Sequence, residues 1–161
     1  MQDIRLKGAI SFCIILTIIV IDYFSKQYAL IFDQNYVLNS FITIYKMNNY
    51  GIAFSLFNEL ESVGQLILNI VIFLILVFIA RELFTNLASS NLYLIGLSLI
   101  LGGGSANFID RYDNSAVTDF IILHYKDIYF PAVFNIADLS ISIGAVLIII
   151  YYMSDKVNEV S

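Results

Sequence analysis

The sequence predicts an α-helical polytopic membrane protein with four transmembrane helices and a small extracytoplasmic β-sheet between helices 1 and 2. Three observations predict it. The 161 residues are 60% hydrophobic, 13% charged and have a mean hydropathy of +0.84, whereas soluble domains run at roughly 45–50% apolar and about 25% charged. Apolar runs long enough to cross a bilayer recur at 8–32, 62–84, 92–110 and 135–153. Between the first two runs, residues 33–60 turn to β-branched and aromatic residues broken by turn formers. All of this is one membrane domain, 1–161.

Taken in order, the chain opens with Arg5 and Lys7 before its first apolar run. The run is too long for a secretory signal peptide and no small-residue cleavage site follows it, so it is read as a retained helix with a cytoplasmic start. Near its outer end Asp22 and Lys26 stand four apart on one helical face. Charges at such depth are costly, and a supporting role at a site is favoured over a plain ion pair. Residues 41–45 read as a strand, Asn48-Asn49-Tyr50-Gly51 as a turn and residues 52–57 as a second strand, lying on the bilayer surface or over the helices. Asn58-Glu-Leu-Glu61 has the form of a capping box opening the second span, along which Glu61, Gln65 and Asn69 form a polar stripe. Residues 85–91 make a cytoplasmic turn. Small residues, among them Gly96, Gly102, Gly103, Gly104 and Gly144, allow spans three and four to approach closely. Four spans put both termini on one side. The basic residues, Arg5, Lys7, Arg81 and Lys156 against Lys46 and Lys126, weakly favour the cytoplasm for that side.

Composition also excludes function classes. A net charge of −5 without a clustered basic face argues against nucleic-acid binding. One cysteine, Cys13, gives no disulfide framework, and one histidine, His124, read as a solvated loop residue, gives little support for a metal site.

Packing does not explain Asn107-x-x-Asp110-Arg111, Asp119, or Asn135-x-x-Asp138. An ionised side chain at the centre of a span costs about 2.5–3.5 kcal/mol on insertion scales. Asp110 beside Arg111 reads as a buried ion pair. Asp119 and Asp138 have no neighbouring cation in sequence and would lie about 28 Å apart on a continuous helix, so they can meet only if a loop containing Pro131 folds back. Two carboxylates sharing a water cannot both ionise readily, and such a pair can activate water against an amide carbonyl. From the residues alone, a proton relay in a transporter and a structural polar core remain alternatives. The gathering of charge toward one face counts against the transporter.

Five blocks in register carry a resemblance: Asp22-x-x-x-Lys26; Asn49-Tyr-Gly51-Ile-Ala-Phe-Ser55; Gly102-Gly103 to Asn107-Phe-Ile-Asp110-Arg111; Val117-Thr-Asp119-Phe-Ile; and Phe134-Asn135-Ile-Ala137-Asp138. Over nearly its whole length the chain resembles the lipoprotein signal peptidases, or signal peptidase II, a family of bacterial membrane aspartic peptidases. The resemblance implies removal of the signal peptide from a diacylglyceryl-modified prolipoprotein just before the lipid-modified cysteine. It implies Asp119 and Asp138 as the catalytic pair, with Asp22, Lys26, Asn49, Gly51, Asn107, Asp110, Arg111 and Asn135 lining or supporting the pocket. No cofactor and no metal are implied. The expected partners are prolipoprotein and membrane lipids, and the expected enzyme is a monomer in the bacterial cytoplasmic membrane, with cytoplasmic termini and a site near the extracytoplasmic face. Two departures from the family pattern are Ala106 and Ser115, where glycines are usual.

Overall fold

The apolar runs become four helices in the computed structural model: α1 (Gln2–Ala29), α2 (Glu61–Thr85), α3 (Asn91–Asn114) and α4 (Ile136–Val160). The structure describes residues 2–29, 31, 35–51 and 61–160, the side chains of 61, 62 and 155–160 excepted. Each helix is long and apolar enough to cross a membrane. The polar start of α1 is helical as well, because Lys7 pairs with Asp3 at 3.6 Å and donates to the carbonyl of Ser89 at 3.1 Å, tying α1 to the α2–α3 turn.

Half of the most apolar stretch of α3 is buried inside the protein, against 6%, none and 17% for α1, α2 and α4, which makes α3 the central helix. Between apolar helices in lipid there is little hydrophobic drive to associate, so close van der Waals packing must supply it. The glycines of α3 permit that on three sides. Gly102 lies against Ile15 of α1, Gly104 against Leu76 of α2, and Gly96 against Gly144 of α4. Gly103 approaches the carbonyl of Ala137 so closely that a side chain has no room, which brings the first turn of α4 onto α3 one turn before Asn107. At the other end of the bundle Leu83, Tyr93, Leu94, Leu97 and Leu101 form a buried cluster, and Tyr93 donates to Glu82 at 2.8 Å.

The strands are β1 (Tyr36–Val37), β2 (Ile42–Asn49), β3 (Val117–Tyr125) and β4 (Ile128–Phe134), antiparallel in the order β1-β2-β3-β4. The expected strand over 41–45 is the longer β2. Its partner comes from elsewhere in the chain than expected: β2 pairs with β3, from the α3–α4 connection that the sequence reading takes as a loop. Pro131 is no loop breaker but sits on β4, an edge strand, where a missing N–H costs no ladder bond. His124 is likewise in a strand, stacked on Tyr129 with ring centroids 5.1 Å apart. The expected strand at 52–57 and most of the capping box at 58–61 lie outside the described residues.

Candidate active site

Three local devices aim the polar residues at one place. The first is at the start of α4, where Asn135 and Asp138 form a reciprocal capping box: the Asn135 side-chain oxygen accepts from the Asp138 N–H at 2.8 Å, and Asp138 Oδ2 accepts from the Asn135 N–H at 3.2 Å. With both residues inside a helix, the spacing of three would set them on one face. The asparagine is in fact the N-cap and the aspartate the third helical residue, a pattern the N-x-x-D spacing could have announced.

The second device ends α3. Ser115 takes a left-handed backbone at φ 57°, turning the chain out of the helix and into β3. Asp110 holds the turn, accepting from the Thr118 N–H at 2.7 Å and from the Asn114 amide at 2.7 Å. Left-handed backbone suits glycine and costs other L-residues about 1–2 kcal/mol. The Ser115→Gly variant is therefore expected to be more stable by roughly 1 kcal/mol, seen as a higher thermal midpoint in detergent.

The third is the β2–β3 register, which sets Asn49 opposite Val117 and Met47 opposite Asp119. Asn49 thereby donates its amide to Asp119 Oδ2 at 2.9 Å, while its oxygen accepts from the Gly51 N–H at 2.8 Å. Gly51 has φ +73°, and a β-carbon there would meet the Arg111 guanidinium and Leu68, each at 2.9 Å.

At the centre is Asn135, fully buried. Its amide donates to Asp119 Oδ1 at 2.7 Å, and also lies 3.1 Å from Asn107 Oδ1, while its backbone and side-chain oxygen engage Asp138. One residue thus bridges both aspartates. Asp138 Oδ1 accepts in addition from the Asn107 amide at 2.7 Å. Asp119 is 1% exposed. Burial pushes its carboxyl up to about 6, with repulsion from Asp138 in the same direction, against the opposing pull of the Asn49 and Asn135 amides and of Lys26.

Behind this pair lies a buried charge cluster. Lys26 contacts Asp22 at 2.7 Å and Asp110 at 3.1 Å and donates to Asn107 Oδ1 at 2.9 Å. Asp22 accepts from the Ala137 N–H at 2.9 Å, joining α1 to the start of α4. The expected Asp110–Arg111 pair is replaced by Asp110–Lys26, since neighbours on a helix point about 100° apart and cannot face each other. Arg111 lies instead against Gly51, within electrostatic reach of Asp119, Asp110 and Asp138, and its buried Nε has no partner among the described residues. The backbone groups of Thr118 and Ala137 are contributors that sequence reading missed, because any residue can supply them. A cavity of about 400 Å³ is lined by α1, α3, Asn48 of β2 and Thr118 of β3, and reaches Asp22, Lys26 and Asp110. Ala106, at one usual glycine position, is buried and borders it. Among the described residues, no group of His, Cys, Asp and Glu is placed to hold a metal ion.

Comparison with known proteins shows the family to which the chain belongs. The family model described as signal peptidase (SPase) II matches residues 14–154. The chain is 34% identical to a lipoprotein signal peptidase of Clostridium tetani over 141 residues, 85% of this chain and 88% of that protein. It is 38% identical over 142 residues to one of Wigglesworthia glossinidia brevipalpis, covering 84% and 89% respectively. A solved bacterial membrane enzyme, determined by the in meso method at 2.3 Å, superposes with a TM-score of 0.72 at 28% identity, over 93% of this chain and 91% of the other.

Proposed function

From the membership of this chain in the signal peptidase II family, a family of membrane peptidases, we propose that it cuts diacylglyceryl-modified prolipoproteins just before the lipid-modified cysteine, using a water held between Asp119 and Asp138. The observation that carries this reading is the Asn135 bridge, whose amide holds Asp119 while its backbone and side-chain oxygen hold Asp138. With one proton on the pair, the ionised carboxylate takes a proton from water as the oxygen attacks the scissile carbonyl. The protonated partner supports the developing oxyanion. As the C–N bond breaks, a proton passes from the pair to the leaving nitrogen, and the pair returns to its starting state.

Position supports the substrate class. Lys26, Asn107 and Asp138 lie at one end of their helices, beside the sheet and away from residue 2 and the end of α4. With the termini in the cytoplasm this is the extracytoplasmic end, where a signal peptide arriving through lipid would present its cut site. The direct test offers purified protein in detergent a prolipoprotein with and without the diacylglyceryl group. Cleavage of only the modified form, leaving the modified cysteine first, is expected. Equal cleavage of both forms, or of neither, overturns the reading.

The pH dependence follows from the pair. When the pair holds two protons no base remains, so the rate falls on the acid side. As pH rises through about 6, Asp119 loses its proton and the acid is lost. The profile of kcat/KM for the free enzyme is therefore expected to be a bell whose alkaline limb lies well above the ordinary aspartate value, with both limbs belonging to the pair. A profile flat from about pH 4 to 8, with chemistry shown to limit the rate, excludes a one-proton pair. Stability should follow the same group. Its folded value is raised above the unfolded one, so its contribution is fully present below about 3.9 and is lost as pH rises through about 6. That dependence should vanish in Asp119→Asn.

A further inference from the structure

Asn69 is the member of the polar stripe farthest along α2, about 12 Å from Glu61 at the helical rise. An amide among spanning helices is costly unless it bonds to a neighbour. Asn69 does not. Its Oδ1 is buried and has no hydrogen-bond partner among the described residues, so it does not tie α2 to α3.

The packing of α2 on α3 shows where this acceptor stands. Leu76 lies against Gly104, and one turn outward Phe73 meets Phe108 with ring centroids 6.0 Å apart. Residues four apart share a helical face, so the next turn sets Asn69 at the level of Arg111 and Tyr112. Its neighbour Leu68 marks the same level, because a β-carbon on Gly51 would meet both Leu68 and the Arg111 guanidinium. Gly51 in turn donates to Asn49, which holds Asp119. Two unused buried atoms thus stand at one level beside the carboxylate pair, the acceptor Asn69 Oδ1 and the donor Arg111 Nε. Leu66 and Phe73, on the Asn69 face of α2, are 59% and 52% exposed, so a chain arriving through lipid can reach this place.

Such a chain needs an acceptor there. A spanning segment satisfies its N–H and C=O groups within its own helix. Near the cut that helix must open for water to reach a carbonyl, and an N–H released among apolar helices has little water to bond. We propose that Asn69 Oδ1 accepts one backbone N–H of the bound signal peptide where its helix opens beside the scissile bond. Asn69 is then a substrate-holding residue in addition to those of the five sequence blocks. The inference rests on the peptidase reading and adds to it the group that receives the opened backbone.

The test uses Asn69→Leu, which keeps the approximate size and removes the acceptor. Its KM for a diacylglyceryl-modified prolipoprotein is expected to rise about tenfold, the worth of one hydrogen bond. Its kcat should stay near normal, since a bond made equally before and during the reaction affects binding alone. The thermal midpoint in detergent should stay level or rise, because an unmet buried acceptor is gone. Asn69→Ala repeats the measurement, so that the bulk of leucine is not mistaken for a lost bond. Esters replacing single amides on either side of the scissile bond then locate the N–H. One of them should raise the KM of the unaltered enzyme by the same factor and leave that of Asn69→Leu unchanged. Ester effects equal in the two proteins overturn the proposal, as does an unchanged KM in both variants. A midpoint that falls while KM stays normal overturns it as well and makes Asn69 a packing residue. Absence of cleavage by the unaltered protein overturns the peptidase reading and this inference with it, whereas normal cleavage indifferent to position 69 overturns this inference alone.

Discussion

Asp119→Asn and Asp138→Asn are each expected to lower the cleavage rate by at least about 10²–10⁴-fold, the range that positioned general acid–base groups contribute. An amide can neither take a proton from water nor deliver one to the leaving nitrogen. Both variants should stay folded and inserted. At Asp119 the new amide still offers an oxygen to Asn135 or to Asn49, and loses one of two accepted hydrogen bonds. That loss costs about 1–3 kcal/mol when a buried donor is left unpaired, and is offset in part because a costly buried charge disappears. The same holds at Asp138, which accepts from Asn107 and from the Asn135 backbone. The double variant should be no slower than the slower single one, since groups acting as a unit are not additive. Single-turnover cleavage of a lipid-modified substrate, with thermal midpoints measured on the same samples, decides it. Near-normal turnover in either variant removes that residue from the pair.

Lys26→Met is expected to be the most destabilising single change at the site, by about 3–5 kcal/mol. Its ammonium is the counter-ion of both Asp22 and Asp110, whose side chains are 2% and 12% exposed. Removing it leaves two carboxylates in a poorly solvated place, and breaking one partner of a buried pair costs far more than the pair itself contributes. Activity should fall as well. Lys26 donates to Asn107 Oδ1, which fixes the orientation in which that amide donates to Asp138. The control is Lys26→Met in an Asp22→Asn/Asp110→Asn background, where no charge is stranded and the further loss should be small. A thermal midpoint for Lys26→Met equal to that of the unaltered protein would falsify the counter-ion role.

Much of this site was legible in the sequence because the membrane makes charge expensive. Apolar runs without charge mark helices, and an aspartate or lysine beside them stands out for the free energy it costs. Asp22, Lys26, Asn107, Asp110, Arg111, Asn135 and Asp138 declare themselves in that way. The sheet was only half legible. β2 shows itself by β-branched and aromatic residues, whereas β3 and β4 carry the polar His124 to Asp127 and a proline, which read as a loop until the edge position of β4 explains Pro131.

Partner choice is where local reading reached its limit. Adjacency suggested Asp110–Arg111, but the partner of Asp110 is Lys26, on another helix. Asn49 read equally well as a plain turn residue, and it is the β2–β3 register that carries its amide to Asp119, 70 residues away. The sequence by itself determined the four spans, the kinds of polar group that must sit among them and the family to which their order points, because burial cost and helical periodicity act on local stretches of chain. Tertiary structure alone decided which of those groups touch. A hydrogen bond requires contact within about 3 Å, and here that contact is made by close packing of α4 on α3 at Gly103, by the left-handed turn at Ser115 and by a strand register, which join residues as far apart as Asp22 and Ala137.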